Sequence, residues 1–512
     1  MALLHGKSLI ACHRSTSEGK TFHATSPLDQ TQLPGNFLPA TMEEVDAALT
    51  AARGAFREFR TSTGNTRATF LEKIAENLER VSDDLIDRAH LETGLPHPRL
   101  QAELKRTTGH LRMFAEIARS GLWLDPRIEP ADANRHPLPK PDLRRIFQPI
   151  GPVVVFGASN FPLAYSVAGG DTASALATGN PVIVKAHEAH PGTSELVGNA
   201  ISAAVHSIGL PAGVFSLLQG TGKLLAVPLV THPATRAVGF TGSTHAGRIL
   251  IDAAAGRPDP IPVFAEMGSL NPVTILPSAL EVNAASIAEK LIASITTDAG
   301  QFCTKPGVIL LQAGEKTESF LRSLAERLSH VTPVPMLHSG IHDSFVKGVA
   351  KLQELAASHP SLALLATKAA EAGTLQGSPH LFRTDATTFL AHEPLRHEYF
   401  GPLAIFVVLP STDEIENVLR SLGGQLTATL FCDETDPLAP DLLPFLTEIA
   451  GRVIVNGVPT GVEVNSSSQH GGPWPACSDS RFSAVGPSAL LRFVRPVAYQ
   501  NVPAHLLPQA LR

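Results

Sequence analysis

Cysteine is scarce, with 4 in 512 residues at positions 12, 303, 432 and 477. Their wide separation excludes a disulfide framework and fits no zinc-ligand spacing, so no metal is expected. Long apolar runs are missing too, because no stretch reaches the roughly 18 unbroken apolar residues of a membrane span. The first fifteen residues lack the apolar run and small-residue cleavage site of a signal peptide. Neither charge dominates: 41 Lys and Arg face 47 Asp and Glu, a net charge of -6. That balance gives no electrostatic footing for nucleic acid. No internal repeat or low-complexity tract occurs. These absences leave a cytoplasmic globular protein with neither membrane nor nucleic acid as a partner. With 43% hydrophobic residues over this length, two or three folding units are expected.

The proline-rich, charged stretch 126–141 divides two patterns and reads as a linker or exposed connection. Before it, residues 42–59 and 66–93 carry apolar side chains at helical spacing. Thr41 followed by Glu44 fits a capping box, and Asn65 or Thr66 could start the second helix. After the linker come short apolar runs at 153–156, 182–185, 214–218, 237–240, 263–265 and 273–276, alternating with helical segments. Continuous β-branched runs of this kind predict a mostly parallel sheet covered on both faces. A second block repeats the rhythm, with runs at 308–311, 404–408, 428–431 and 453–455 and helices at 317–328 and 412–422. Two further strands, 144–148 and 490–499, stand outside either rhythm and could pair with each other as an outlying flap. The fold class is therefore α/β, with two sheet-based domains and a small extra strand element.

Among the cysteines, Cys303 lies between a helix-like segment at 283–296, closed by Gly300, and the strand at 308. A turn between rigid elements can present a thiolate to a cleft, and thiolates attack carbonyl carbon well. A lone cysteine is more often a buried structural residue; the Gly-Gln-Phe-Cys-Thr context argues against that here. Asn160 follows a strand and precedes Pro162, where it either caps the turn or donates to an oxyanion. Glu266 ends a buried strand, where it is either a salt-bridged structural residue or a desolvated general base with a raised pKa. Glu398 could bond sugar hydroxyls and Phe400 could offer a face to a ring, although core packing also accounts for the phenylalanine. The turn 239–247, Gly-Phe-Thr-Gly-Ser-Thr-His-Ala-Gly, joins a strand to a helix and can face a pyrophosphate with backbone N–H groups. It is not the usual dinucleotide fingerprint. Lys185, with Glu188 three residues on, sits where a ribose lies in an open α/β sheet.

In order and spacing, FGASNFP (156–162), VIVKAHE (182–188), GFTGST (239–244), FAEMGSLNP (264–272), GQFCTKPG (300–307) and HEYFGP (397–402) resemble the aldehyde dehydrogenase superfamily over nearly the whole chain. The resemblance implies a Rossmann-type cofactor domain (1–137 and 152–263), an α/β catalytic domain (264–460) and a β oligomerisation flap (138–151 and 488–502). It implies Cys303 as nucleophile, Glu266 as general base, and Asn160 with the Cys303 backbone N–H as oxyanion donors. It assigns Lys185 and Glu188 to the adenosine ribose, and Gly242 and Ser243 to the pyrophosphate. Glu398 falls at the nicotinamide ribose and Phe400 close to the nicotinamide ring, and Gly268 also belongs to the implied cofactor site. The implied cofactor is NADP or NAD, and the implied assembly a homodimer or homotetramer. A Glu at 188, where similar enzymes commonly carry proline, would repel a 2′-phosphate and favours NAD. Retention of Glu266 implies hydrolysis of an acyl-enzyme rather than transfer to coenzyme A.

Within the superfamily, residues 19–27, 160–177, 185–197 and 470–501 are similar to enzymes acting on α-ketoglutaric semialdehyde (2,5-dioxopentanoate) in sugar-acid and hydroxyproline catabolism. Several of these features are shared with long-chain fatty aldehyde dehydrogenases. A 2-oxo acid substrate needs a cation or several N–H donors in the pocket, and Arg481 is either such a cation or a solvated surface residue. A non-catalytic protein on the same scaffold would be expected to lose nucleophile or base, and this chain keeps both.

Overall fold

Short β-branched runs fold here as strands because both their faces are covered. The computed structural model describes residues 3–512. A hairpin of β1 (Leu9–Ile10) and β2 (His13–Arg14) comes first, followed by four helices. The first, α1 (Met42–Phe59), has the expected capping box: Thr41 Oγ1 accepts from the Glu44 N–H at 3.2 Å, and Glu44 Oε2 accepts from the Thr41 N–H at 2.9 Å. Such a cap stabilises a helix by about 1 kcal/mol. Its buried stripe of Val45, Ala48, Leu49 and Ala52 packs with Val154, Phe156 and Ile183 of the sheet behind it.

Residues 66–93, read as one helix, are two. α2 (Gly64–Arg80) and α3 (Ser82–Thr93) meet at Val81, whose φ of -104° and ψ of 18° break the hydrogen-bond ladder. The cap is Thr63, which accepts from the Thr66 N–H at 3.0 Å, so Asn65 and Thr66 lie inside the first turn. The apolar spacing did not reveal the corner because both helices bury a face in the same core. α4 (His97–Ser120), unmarked by the sequence reading, packs along α2.

The remaining strands are β3 (Arg127–Glu129), β4 (Leu143–Pro149), β5 (Val153–Phe156), β6 (Val182–Lys185), β7 (Phe215–Leu218), β8 (Ala237–Thr241), β9 (Val263–Glu266), β10 (Val273–Ile275), β11 (Val308–Gln312), β12 (Ala363–Thr367), β13 (His380–Asp385), β14 (Leu403–Leu409), β15 (Gln425–Phe431), β16 (Ala450–Val455) and β17 (Val494–Gln500). They make two seven-stranded sheets, ordered β2-β1-β7-β6-β5-β8-β9 and β12-β13-β14-β11-β10-β15-β16. Each is parallel except at one edge, where β1 and β2 or β12 run antiparallel. β9 runs on to Glu266, so the first sheet extends past the boundary read at 263.

The two outlying strands do pair, in register from Val494↔Pro149 to Gln500↔Leu143. The pairing begins only at 494, because residues Pro487–Phe493 form a 3-10 helix. β3, within the stretch read as a linker, adds a third strand to this small antiparallel sheet.

Chain order reverses at β5 in the first sheet, with β6 on one side and β8 on the other. In an open α/β sheet such a reversal opens a crevice at the carboxyl ends of the strands. The segments after β5 and β8 begin there.

Candidate active site

A strained turn delivers Cys303 from the second sheet. The helix Pro277–Thr296 ends, and Asp298 (φ 49°), Ala299 (φ 54°) and Gly300 (φ 64°) follow in left-handed conformation. Left-handed backbone costs a non-glycine residue about 1–2 kcal/mol, so the turn must be held from outside. At Gly300 a Cβ would collide with the carbonyls of Ile295 and Gly401, so glycine is required. Arg99 on α4 holds Asp298, with Nε donating to Oδ2 at 3.0 Å, and Gln301 Nε2 closes the turn on the Asp298 carbonyl at 2.9 Å. Asn271, just ahead of β10, donates Nδ2 to the carbonyls of Cys303 at 2.7 Å and Lys305 at 3.0 Å. The loop is thus fixed on both sides of the thiol.

Glu266, the last residue of β9, and His470 meet Cys303 from distant parts of the chain. Their ligating atoms lie within 4.8 Å of one another. The Cys303 thiol contacts His470 Nε2 at 3.6 Å, and the same nitrogen lies 2.8 Å from Glu266 Oε1. Glu266 Oε2 is buried and has no hydrogen-bond partner among the described residues. Burial pushes the Cys303 thiol well above its ordinary range, and the Glu266 charge adds to this. The same desolvation, at the end of a buried strand, is expected to raise Glu266. Burial is the largest influence and acts in that direction, but His470, the Cys303 thiol and Arg492 together offset it and hold the carboxyl below its usual range. His470 was absent from the expected site because it precedes Gly471-Gly472 in a loop with no periodic pattern.

Asn160 lies at the same loop: its Nδ2 donates to the Gln301 carbonyl at 3.0 Å. A side-chain amide has two N–H donors, so one remains for a ligand. The Cys303 backbone N–H makes no hydrogen bond among the described residues.

The expected cofactor residues gather at the carboxyl edge of the first sheet. Lys185 closes β6, is 4% exposed, and forms an ion pair with Glu188. Gly242 and Ser243 follow β8. Ser243 caps the helix Thr244–Ala255 by accepting from the Ala246 N–H at 3.2 Å, and the Gly242 N–H donates to the Glu266 carbonyl at 3.1 Å. A helix N-terminus at a sheet reversal suits a pyrophosphate. Gly268 gives its N–H to Thr244 Oγ1 at 3.2 Å, and a Cβ at 268 would collide with the Glu398 carboxylate. That close approach brings Glu398 over from the second sheet. Burial raises Glu398, while Lys305 opposes the rise. Phe400 is half-buried two residues on. A buried lysine paired with a carboxylate, a capped helix start and a glycine cradle together fit a dinucleotide.

Cys303 and His470 open onto a cavity of about 220 Å³ lined also by Arg99, Arg106, Phe161, Tyr165 and Phe302. Arg481 is not in its wall. Its side chain is 79% exposed and ion-paired to Asp479, with Nε to Oδ1 at 2.9 Å. The expectation that Arg481 anchors a substrate carboxylate is therefore corrected: Asp479, two residues away, captures the guanidinium at the surface. The cations that do line the cavity come from α4.

Among the described residues, no helix is long and apolar enough to cross a membrane. A model of the Aldehyde dehydrogenase family matches residues 13–472. "Alpha-ketoglutaric semialdehyde dehydrogenase 2" of Azospirillum brasilense is 48% identical over 99% of this chain and 97% of its own length. "Alpha-ketoglutaric semialdehyde dehydrogenase" of Acinetobacter baylyi is 43% identical over 99% of this chain and 96% of its own. Among solved structures, 1-pyrroline-5-carboxylate dehydrogenase from Thermus with bound NAD superposes with a TM-score of 0.83 at 20% identity, covering 96% of this chain and 92% of that one. With a thiol, a carboxylate and a nucleotide-shaped edge brought to one crevice, and the family matched along most of its length, the chain belongs to the aldehyde dehydrogenase family.

Proposed function

We propose that this enzyme oxidises α-ketoglutaric semialdehyde to 2-oxoglutarate at Cys303. The observation that carries the chemistry is the convergence of Cys303, Glu266 and His470 within 4.8 Å beside a cavity. The substrate assignment is supported by the two relatives named above, α-ketoglutaric semialdehyde dehydrogenases similar to this chain over 99% of its length.

The Cys303 thiol gives its proton to His470 as sulfur adds to the aldehyde carbon. The oxyanion of the resulting thiohemiacetal is met by the second N–H of Asn160 and the Cys303 backbone N–H. Lys185, Glu188, Gly242, Ser243, Gly268, Glu398 and Phe400 would hold NAD or NADP, which when bound would supply the hydride acceptor needed to take the Cys303 adduct to the thioester level. Glu266 then takes a proton from water through its unpartnered oxygen. The water oxygen adds to the thioester carbon, and the carboxylic acid leaves as sulfur regains its proton.

We read NAD as the favoured cofactor. Glu188 would accept from two ribose hydroxyls, whereas a 2′-phosphate would meet it as a like charge. The small sheet of β3, β4 and β17 is read as the surface through which copies associate as a dimer or tetramer, and the unpaired cysteines fit a cytoplasmic setting.

The test is kcat/KM for α-ketoglutaric semialdehyde, pentanal and decanal, each with NAD and NADP. The semialdehyde with NAD should lead by about tenfold or more, the scale of one charge-assisted contact. Leadership by decanal would overturn the substrate assignment, and leadership by NADP the cofactor assignment.

A further inference from the structure

Two guanidinium groups from one face of α4 line the cavity beside Cys303, and they differ in what they are bonded to. Arg99 is fully committed. Its Nη1 donates to Glu103 at 2.6 Å and its Nε to Asp298 at 3.0 Å, and it stacks over the Phe161 ring at 4.5 Å. Glu103 is itself tied down, with Oε1 accepting from the N–H groups of Leu163 and Ala164 at 2.8 and 2.9 Å. Arg106, two helical turns along the same face, has no carboxylate partner among the described residues. Its one side-chain hydrogen bond runs from Nη2 to the Tyr165 hydroxyl at 3.2 Å. Its Nε is buried with no hydrogen-bond partner among the described residues.

A guanidinium in a cavity wall with no counter-anion and an unmet donor is unfavourable unless something arrives to satisfy it. Tyr165 links it to the reacting centre: the Tyr165 ring centroid lies 6.3 Å from that of His470 while the hydroxyl accepts from Arg106. The cation and the thiol thus line one cavity, with the Tyr165 and His470 rings between them, an arrangement suited to an aldehyde with an anionic far end. Resting on the substrate reading above, we propose that Arg106 is the specificity-determining residue that binds the substrate's distal carboxylate. The carboxylate would take two Nη–H groups of Arg106 from the cavity side, leaving Arg99 to hold the loop.

The test is the ratio of kcat/KM for α-ketoglutaric semialdehyde to that for pentanal, in the wild-type enzyme, Arg106→Gln and Arg106→Lys. The Gln variant should lower the ratio by about tenfold or more, chiefly through KM, and the Lys variant should recover part of it. As a second readout that needs no turnover, 2-oxoglutarate should slow iodoacetamide alkylation of Cys303 in the wild type more than in Arg106→Lys. A fall in both substrates by the same factor, or equal protection in both proteins, overturns the role of Arg106. If the wild type shows no preference for the semialdehyde over pentanal, the substrate reading itself fails, and this inference with it.

Discussion

The two sheets meet the active site by opposite ends. The first offers the carboxyl ends of its strands: Lys185 closes β6, Gly242 and Ser243 follow β8, and Glu266 closes β9. The second offers its amino ends, with Asn271 ahead of β10, Cys303 ahead of β11 and Glu398 ahead of β14. The rule that ligands sit at strand carboxyl ends therefore describes only half of this crevice. The carboxyl-end site is built from short turns and a helix start. The amino-end site has no helix start to lean on, and it is held by a left-handed turn, the Arg99–Asp298 pair and the two bonds from Asn271.

If the second sheet supplies the nucleophile and the first the base, removing each should leave a different defect. Cys303→Ser should cause the largest loss, about a thousandfold or more in kcat, with no burst of reduced cofactor, because an alkoxide is not formed where a thiolate can be. A burst surviving in that variant would remove the nucleophile from the second sheet. Glu266→Gln should slow steady turnover by roughly a hundredfold or more, the scale of general base catalysis. Its acyl-enzyme burst should remain, since only hydrolysis has lost its base. Loss of the burst together with turnover would merge the two roles.

The smallest effect concerns the contact between the halves. Burial and the Glu266 charge hold Cys303 above its ordinary range. The thiol is therefore protonated at neutral pH, and alkylation by iodoacetamide should accelerate as pH rises toward that raised pKa. Glu266→Gln removes the charge, lowers the thiol's pKa and should speed alkylation at pH 8 by about threefold to tenfold. An unchanged pH profile would show that the two sheets do not communicate at this point.

Much of the scaffold was readable from residue patterns. The helix 42–59 and its capping box, and the strands 153–156 and 182–185, stand at the residues expected. Hydrophobic period and cap chemistry are local, so a window of sequence carries them. What escaped was not local. The corner at Val81 joins two helices with one continuous buried stripe, and α4, which carries Arg99 and Arg106, went unmarked. Arg481 looked suitable as an anchor because its partner, Asp479, is a matter of side-chain geometry.

By itself the sequence determined the alternating α/β elements and the family, and it singled out a thiol and a carboxylate that the fold brings together, since motifs at these spacings are properties of the chain. Only the tertiary structure decided that His470 stands between Cys303 and Glu266, that Glu266 is lowered rather than raised, and that α4 instead of the loop at 481 faces the cavity. Each of those depends on distances between residues far apart in the chain, and electrostatic and hydrogen-bond energies vary steeply with such distances and with burial.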